Sequence, residues 1–326
     1  MNSIFQKIVS DALSAESIDH IEDIQSLWSG YGKIMRYGLN GCSVDSVVIK
    51  YVNLPDQVVH PRGWNTDTSH QRKIKSYHVE SAWYREWSHL CGDDCRVPSC
   101  FALEEGEGEF LIVLEDLDAS GFPLRKTSIS IEEIQICLSW LASFHAVFMG
   151  KTPSQIWSEG TYWHLATRGD EWSAMEDGEL KQIASELDSM LSTAPFQTIV
   201  HGDAKLANFC FSEDGNKVAA VDFQYVGGGC GMKDVAYFIG SCLNEDECEA
   251  WQEPLLNHYF TQLKMALSQH QAHINADKVE ACWRPLYAVA WTDFYRFLKG
   301  WSPEHWKIHR YSDRLAHEVT LKIQSN

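Results

Sequence analysis

Apolar and polar positions change rhythm several times along the chain. Ile4, Phe5, Ile8, Val9 and Leu13 fall near helical spacing and predict an amphipathic helix over residues 4–19. Between Asp23 and Val52, short apolar or alternating runs are broken by glycine-containing turns, which predicts an antiparallel meander of three strands. The last of these, Ser46 to Val52, is rich in β-branched residues and carries one lysine, Lys50, at its centre. Residues 53–76 are polar, include Pro55, Pro61, Gly63, Asn65 and Asp67, and read as a long loop. A helix is expected from about Tyr77 to Leu90. Phe110 to Leu114 reads as a buried strand ending in Glu115, Asp116 and Leu117, and Asp118 to Thr127 as a linker.

Beyond the linker the pattern is mostly helical. Ser130 followed by Glu133 is a capping-box signature for a helix over Ile131 to Met149, and Gly178 to Leu191 reads as another. Short strands return at 198–200, 209–211 and 218–223, around the hairpin signal Asp214-Gly215-Asn216. From Met232 onward the chain reads as helix. A strand-rich part followed by a helix-rich part implies an α+β fold in two lobes, 1–117 and 118–326.

Composition narrows the function. No apolar run reaches 18 residues, and the N-terminus mixes acids into its apolar positions. Neither a membrane helix nor a signal peptide is expected, so the expected location is cytoplasmic. A net charge of -18 repels phosphate backbones and anionic lipid, so nucleic acid and membranes are not expected partners. Cys91, Cys95 and Cys100 are spaced by four and five, not by the two-residue gap of a zinc knuckle, and read as reduced thiols.

The chemistry is concentrated in HGDAKLANF (201–209) and AAVDFQ (219–224). Asp203 can orient a hydroxyl and accept its proton. Asn208 and Asp222 offer the hard oxygens that magnesium prefers, and Lys205 can offset charge on a phosphoryl group. These two motifs resemble the catalytic loop and metal-binding aspartate of the protein-kinase-like superfamily. HGD in place of HRD marks the aminoglycoside phosphotransferase and choline kinase branch, and the choline/ecdysteroid-kinase-like group is the match suggested within it.

The resemblance implies a two-lobed protein-kinase-like fold, with an antiparallel sheet plus helix in the N-lobe and a mostly helical C-lobe. It implies ATP and Mg2+ as cofactors, Asp203 as catalytic base, and Asn208 and Asp222 as metal ligands. Lys50 resembles the lysine that binds the α- and β-phosphates. Glu80 resembles its ion-pair partner, with Glu86 as the rival. Gly30 and Gly32 in SGYGK resemble a phosphate-covering loop, although the full G-x-G-x-x-G is absent because position 35 is Met. Glu115, Asp116 and Leu117 resemble the hinge that pairs with adenine. Asp234 is expected to cap a helix and brace the catalytic loop, and Gly227 to Gly229 to form a flexible turn.

Asp234 follows Asp222 by only 12 residues, too few for the activation segment that seats a peptide. The expected acceptor is therefore a small alcohol: choline or another amino alcohol, a steroid, or a sugar-like molecule. An aminoglycoside phosphotransferase and a nucleotide-binding pseudokinase are the alternatives. Trp291, Asp293, Tyr295, Arg296, Trp301 and Trp306 could cage a quaternary ammonium or simply form core. The segment 60–73, with Arg62, Arg72 and Lys73, is a candidate lid, acceptor contact or phosphate site.

Overall fold

The computed structural model describes residues 3–27, 30–54, 67–106 and 108–325. Helix α1 (Ser3–Leu13) leads into three strands, β1 (Ser17–Ser26), β2 (Gly32–Asn40) and β3 (Ser46–Asn53). The expected helix over 4–19 therefore stops early, and β1 occupies its end. Ser14 turns the chain with φ 55°. β1 is an edge strand that buries little beyond Ile18, so its burial carries no two-residue rhythm to betray it.

Strands β4 (Cys100–Glu105) and β5 (Glu109–Glu115) complete a five-stranded antiparallel sheet of order β1-β2-β3-β5-β4. β2, β3 and β5 are its inner strands, and their register sets Lys50 of β3 opposite Ile34 on one side and Ile112 on the other. β4 was not expected. It is another edge strand, and it buries none of its residues fully.

Helix α2 (Asp67–Ala82) corrects the long loop expected over 53–76, of which residues 55–66, with Arg62, lie outside the described residues. Ser69, His70, Arg72 and Lys73 face the cleft between the lobes. The first half of the helix is thus polar, and apolar periodicity could not reveal it. The helix runs on through a wider turn at Trp83–Trp87.

The second lobe begins with α3 (Ile131–Phe148), whose Ser130–Glu133 capping box makes both of its hydrogen bonds. Then come α4 (Gly169–Ala174), α5 (Glu179–Gln182) and α6 (Ala184–Ser192), so the helix expected over 178–191 is broken at Ile183. Four short strands follow: β6 (Thr198–Val200), β7 (Phe209–Phe211), β8 (Val218–Ala220) and β9 (Gly227–Gly229). β7 and β8 form the expected hairpin. The glycine run is not a flexible turn. It is β9, buried and paired with β6, and a side chain at Gly227 would strike the Trp157 carbonyl. The remainder is helical: α7 (Met232–Cys242), α8 (Glu245–His270), α9 (Ala276–Trp283), α10 (Leu286–Trp301) and α11 (Arg310–Gln324).

The main core runs from α3, α7, α8 and α10 up to Val79, Trp83, Ile112 and Leu114 beneath the sheet. Trp83 is the joint. Its fully buried ring stacks on Phe223 with centroids 4.5 Å apart and packs on Phe144 and Phe148. Trp83→Ala should cost about 3–5 kcal/mol of stability. Urea unfolding would show this as a lower midpoint, whereas Trp83→Phe should lose much less.

Candidate active site

The turn after β6 shapes the centre. Gly202 has φ 80°, and a Cβ there would sit 2.0 Å from the Tyr225 carbonyl oxygen, so this position requires glycine. Asp234, fully buried in the first turn of α7, accepts hydrogen bonds from the His201 and Gly202 amides at 2.6 and 2.9 Å. It also pairs with His145 Nε2 at 3.1 Å. It braces the turn as expected, but it does not cap the helix, since Gly231 holds the N-cap position. The Asp203 amide donates to His201 Nδ1, which fixes the proton on Nε2, where it meets the Val221 carbonyl at 3.0 Å.

Asp203 thereby points into the cleft. Its Oδ2 accepts from Lys205 Nζ at 2.8 Å and Asn208 Nδ2 at 3.1 Å, and its Oδ1 from the Tyr237 hydroxyl at 3.2 Å. Burial raises its pKa; Lys205 opposes this and Asp222 adds to it. The amide nitrogen of Asn208 also donates to the Asp203 carbonyl, leaving its Oδ1 as the group available to a cation. Asp222 leaves β8 with φ 70°, a left-handed conformation that aspartate tolerates better than most residues. Its Oδ1 is buried and has no hydrogen-bond partner.

The facing wall is built by β3 and α2. Lys50 and Glu80 are 4 % and 2 % exposed and meet at 2.6 Å, with Asp222 Oδ1 3.6 Å from the same ammonium. Burial works against a charged Lys50, but Glu80 and Asp222 outweigh it and raise its pKa. Burial also raises Glu80, against the pull of Lys50. At Asp222 burial is overcome by Lys50, Lys205 and Lys73, and the carboxyl is held below its usual range. Glu86, the rival partner, instead takes a hydrogen bond from Gln155 at 2.6 Å. Lys73 reaches Gln224 at 2.7 Å, and burial together with Lys50 pushes its pKa down to about 8.

At the other end of the cleft, Leu117 packs with Cys210, Ala219 and Val221. Glu115 is tied to Arg96 at 2.5 Å and to the Ser99 amide at 2.9 Å. Asp116 is buried under Arg36 at 2.8 Å and Ser46 at 2.7 Å. Arg36 also binds Glu22, and Asp118 at 2.5 Å. Gly30 and Gly32 lie in the β1–β2 turn whose Leu27 and Tyr31 line the cleft. A Cβ on Gly32 would strike the Tyr51 carbonyl, so the sheet itself accounts for that glycine.

Between cage and core, Trp291, Asp293, Tyr295, Arg296, Trp301 and Trp306 assemble no cage. α10 is buried nearly all round, and its residues point in different directions. Asp293 is spent on Arg296 at 2.8 Å and Trp163 at 3.2 Å. Trp291 donates to Ser312 and Tyr295 to Asp313, beside a void of about 10 Å³ that holds one water at most. Trp306 is 61 % exposed. Of the six, Trp301 alone lines the cleft.

A different chamber adjoins Asp203, formed by Tyr162, Tyr237, Phe294, Phe297 and Trp301 within a cleft of about 1100 Å³. The protein's own cations already cover its rings. Lys307 lies over Tyr237 and Phe294 at 4.6 and 5.3 Å, and Arg168 over Tyr162 and Phe297 at 5.7 and 5.1 Å. Burial pushes the Lys307 pKa down to about 8. Tyr162, Arg168, Tyr237 and Lys307 carry no signal in the sequence, because they come from separate segments without a shared motif.

Removing one member of a buried ion pair leaves an uncompensated charge. Glu80→Ala should therefore cost about 3–5 kcal/mol, while Glu86→Ala should change stability by less than about 0.5 kcal/mol. Denaturant unfolding of the two variants separates the partners.

Two solved structures share this architecture. Choline kinase from Cryptosporidium parvum Iowa II aligns with a TM-score of 0.52 at 13 % identity, covering 100 % of this chain and 96 % of its own. A microcompartment-associated aminopropanol kinase aligns with a TM-score of 0.50 at 14 % identity, covering 98 % of this chain and 94 % of its own. Both show the two-lobed kinase-like fold. No curated protein matches the sequence significantly. The model of the ecdysteroid kinase-like family matches residues 81–154 and 163–272, more than half of the chain and the segments that hold Asp203, Asn208 and Asp222. The chain belongs to the ecdysteroid kinase-like family.

Proposed function

We propose that this chain is a cytoplasmic kinase that moves the γ-phosphate of ATP, with Mg2+, onto a hydroxyl of a small alcohol. The observation that carries the reading is the convergence of Asp203, Asn208 and Asp222 on one wall of the cleft, opposite the Lys50–Glu80 pair. In this reading residues 1–117 hold the nucleotide from above and residues 118–326 supply the chemistry from below. Glu115 to Leu117 frame the adenine end, and Gly30 and Gly32 belong to the turn above the phosphates.

The residues fit the metal. Asp222 Oδ1 is a buried carboxylate oxygen without a donor, and Asn208 adds a neutral oxygen, the hard ligand set magnesium prefers. Bound there, the ion would neutralise charge on the transferring phosphoryl group. Lys50, held by Glu80, is placed to bind phosphate oxygens, and Lys73 adds a second ammonium on the same side. Asp203 orients the acceptor hydroxyl and takes its proton, a role suited to a carboxyl whose pKa is raised. Lys205 offsets the charge that develops beside it.

The chamber beside Asp203 favours one class of acceptor. Asp203 is the carboxylate that reaches these rings through Tyr237, Glu171 is tied to Arg168 at 2.8 Å, and Arg168 and Lys307 already occupy the aromatic faces. A quaternary ammonium or a polycationic aminoglycoside would meet like charge there. A neutral alcohol on a largely apolar skeleton, a sterol-like alcohol among them, would bury its surface on Tyr162, Phe294, Phe297 and Trp301.

ADP release measured across a panel of choline, ethanolamine, sugars, aminoglycosides and neutral sterol-like alcohols tests both halves of the reading. Neutral apolar alcohols should be turned over, and choline and aminoglycosides should stay at background. Asp203→Asn should lower kcat by about 10²–10⁴-fold with ATP affinity kept. Asp222→Asn should abolish the magnesium dependence of nucleotide binding. Full turnover by the Asp203 variant would remove its role as base. ATP binding without transfer to any alcohol would make the chain a nucleotide-binding protein instead.

A further inference from the structure

The wall of the acceptor chamber hangs from a strained loop. Between Gln155 and Arg168 the chain has two non-glycine residues in left-handed conformations, Gln155 at φ 60° and Thr161 at φ 97°. For a β-branched residue this is unusual and costs energy, so the surroundings must hold it. Backbone bonds do part of this: Gly160 donates to the Gly228 carbonyl, Thr161 to that of Tyr225 and Tyr162 to that of Gly202. The loop thus joins the catalytic turn directly and presents Tyr162 to the chamber.

Its outer side carries a second feature. Glu159 and His164 from the loop face Asp188 of α6. His164 Nδ1 lies 2.7 Å from Glu159 Oε2 and 3.3 Å from Asp188 Oδ1, and the three atoms are all within 4.8 Å of one another. His164 is more than nine-tenths buried, and all three facing atoms are shut off from solvent. Yet none of them has a partner in hydrogen-bond geometry. The carboxylate oxygens flank the ring nitrogen without lying where its N–H would point. Three buried polar atoms aimed at one point and left unsatisfied are costly unless something binds there.

We propose that Glu159, His164 and Asp188 form a second metal site, apart from the nucleotide cleft, for a borderline divalent ion of the Zn2+ class. An imidazole with two carboxylates suits zinc better than magnesium, which prefers oxygen and water alone. Zinc bonds of 2.0–2.2 Å place tetrahedral ligands about 3.4 Å apart. The His164–Asp188 spacing of 3.3 Å already matches, and Glu159 needs to draw back from its 2.7 Å by about 0.7 Å. A water completes the fourth position. The two carboxylates beside the ring nitrogen attract positive charge, and proton and metal ion compete for that nitrogen. The ion clamps the loop to α6 and so fixes Tyr162 against Tyr237 beside Asp203.

The test uses the full chain, stripped with EDTA and titrated with Zn2+ or Co2+ in a calorimeter with millimolar Mg2+ and no nucleotide. A single ion should bind per chain, Co2+ should show the strong visible absorption of tetrahedral geometry, and Zn2+ should raise Tm. Asp188→Asn and His164→Gln should each weaken binding by more than about tenfold, and Asp222→Asn should leave it unchanged. Folding of the variants is checked by circular dichroism, and the wild-type stoichiometry does not depend on them. Wild type that binds neither ion overturns the proposal. So does binding that survives in the folded His164 variant, or binding lost with Asp222 instead of Asp188. Because the readout is metal binding without nucleotide, its failure is distinct from failure of the kinase reading.

Discussion

A lysine at the centre of an inner strand is the constraint around which the molecule is arranged. Lys50 has Ile34 and Ile112 as its strand neighbours and almost no access to water. A buried ammonium is tolerable only beside a counter-charge. Glu80 supplies it, which dictates where α2 must lie against the sheet. Asp222 supplies the rest from the second lobe, so one small cluster of charge couples both halves. Trp83, one turn beyond Glu80, stacks on Phe223, the residue after Asp222. Apolar packing and ion pairing therefore fix the same two segments against each other. Pairs of this kind stabilise weakly in net terms but are expensive to break, so the arrangement gains specificity more than strength.

Below this cluster the backbone is held with equal care. Asp234 satisfies two consecutive amides of the turn that presents Asp203, and His201 holds a third while donating to the strand end that carries Asp222. Asp203 and Asp222 are thus linked through one imidazole. Such preorganisation supplies alignment before any ligand arrives.

Much of this was legible in the sequence because it is local. Asp203, Lys205 and Asn208 lie within six residues, and the turn chemistry that positions them needs glycine at 202. Lys50 stood out because a charge in a β-branched run demands a partner. The two edge strands were harder to see, since β1 and β4 bury too little to alternate. The front of α2 was hidden because its polar residues serve the cleft instead of the core. The chamber of rings beside Asp203 was not legible for the opposite reason. α10 is so thoroughly apolar and aromatic that its sequence cannot say which rings face a cavity, and the chamber draws on Tyr162, Arg168, Tyr237 and Lys307 from distant segments.

The Arg36 cluster has a different kind of exposure from the Lys50 cluster, and this has a mechanical consequence. Arg36 reaches from β2 to Asp116 and Asp118 just past the end of β5, and on its Asp118 side it is partly open to solvent. Dissolved ions reach it and screen it, whereas they hardly touch a pair that is sealed from water. Raised ionic strength thus slackens the clasp at the rim while the lysine–glutamate pair within keeps its alignment. Salt therefore acts first on the outer clasp and least on the pair that ties β3 to α2.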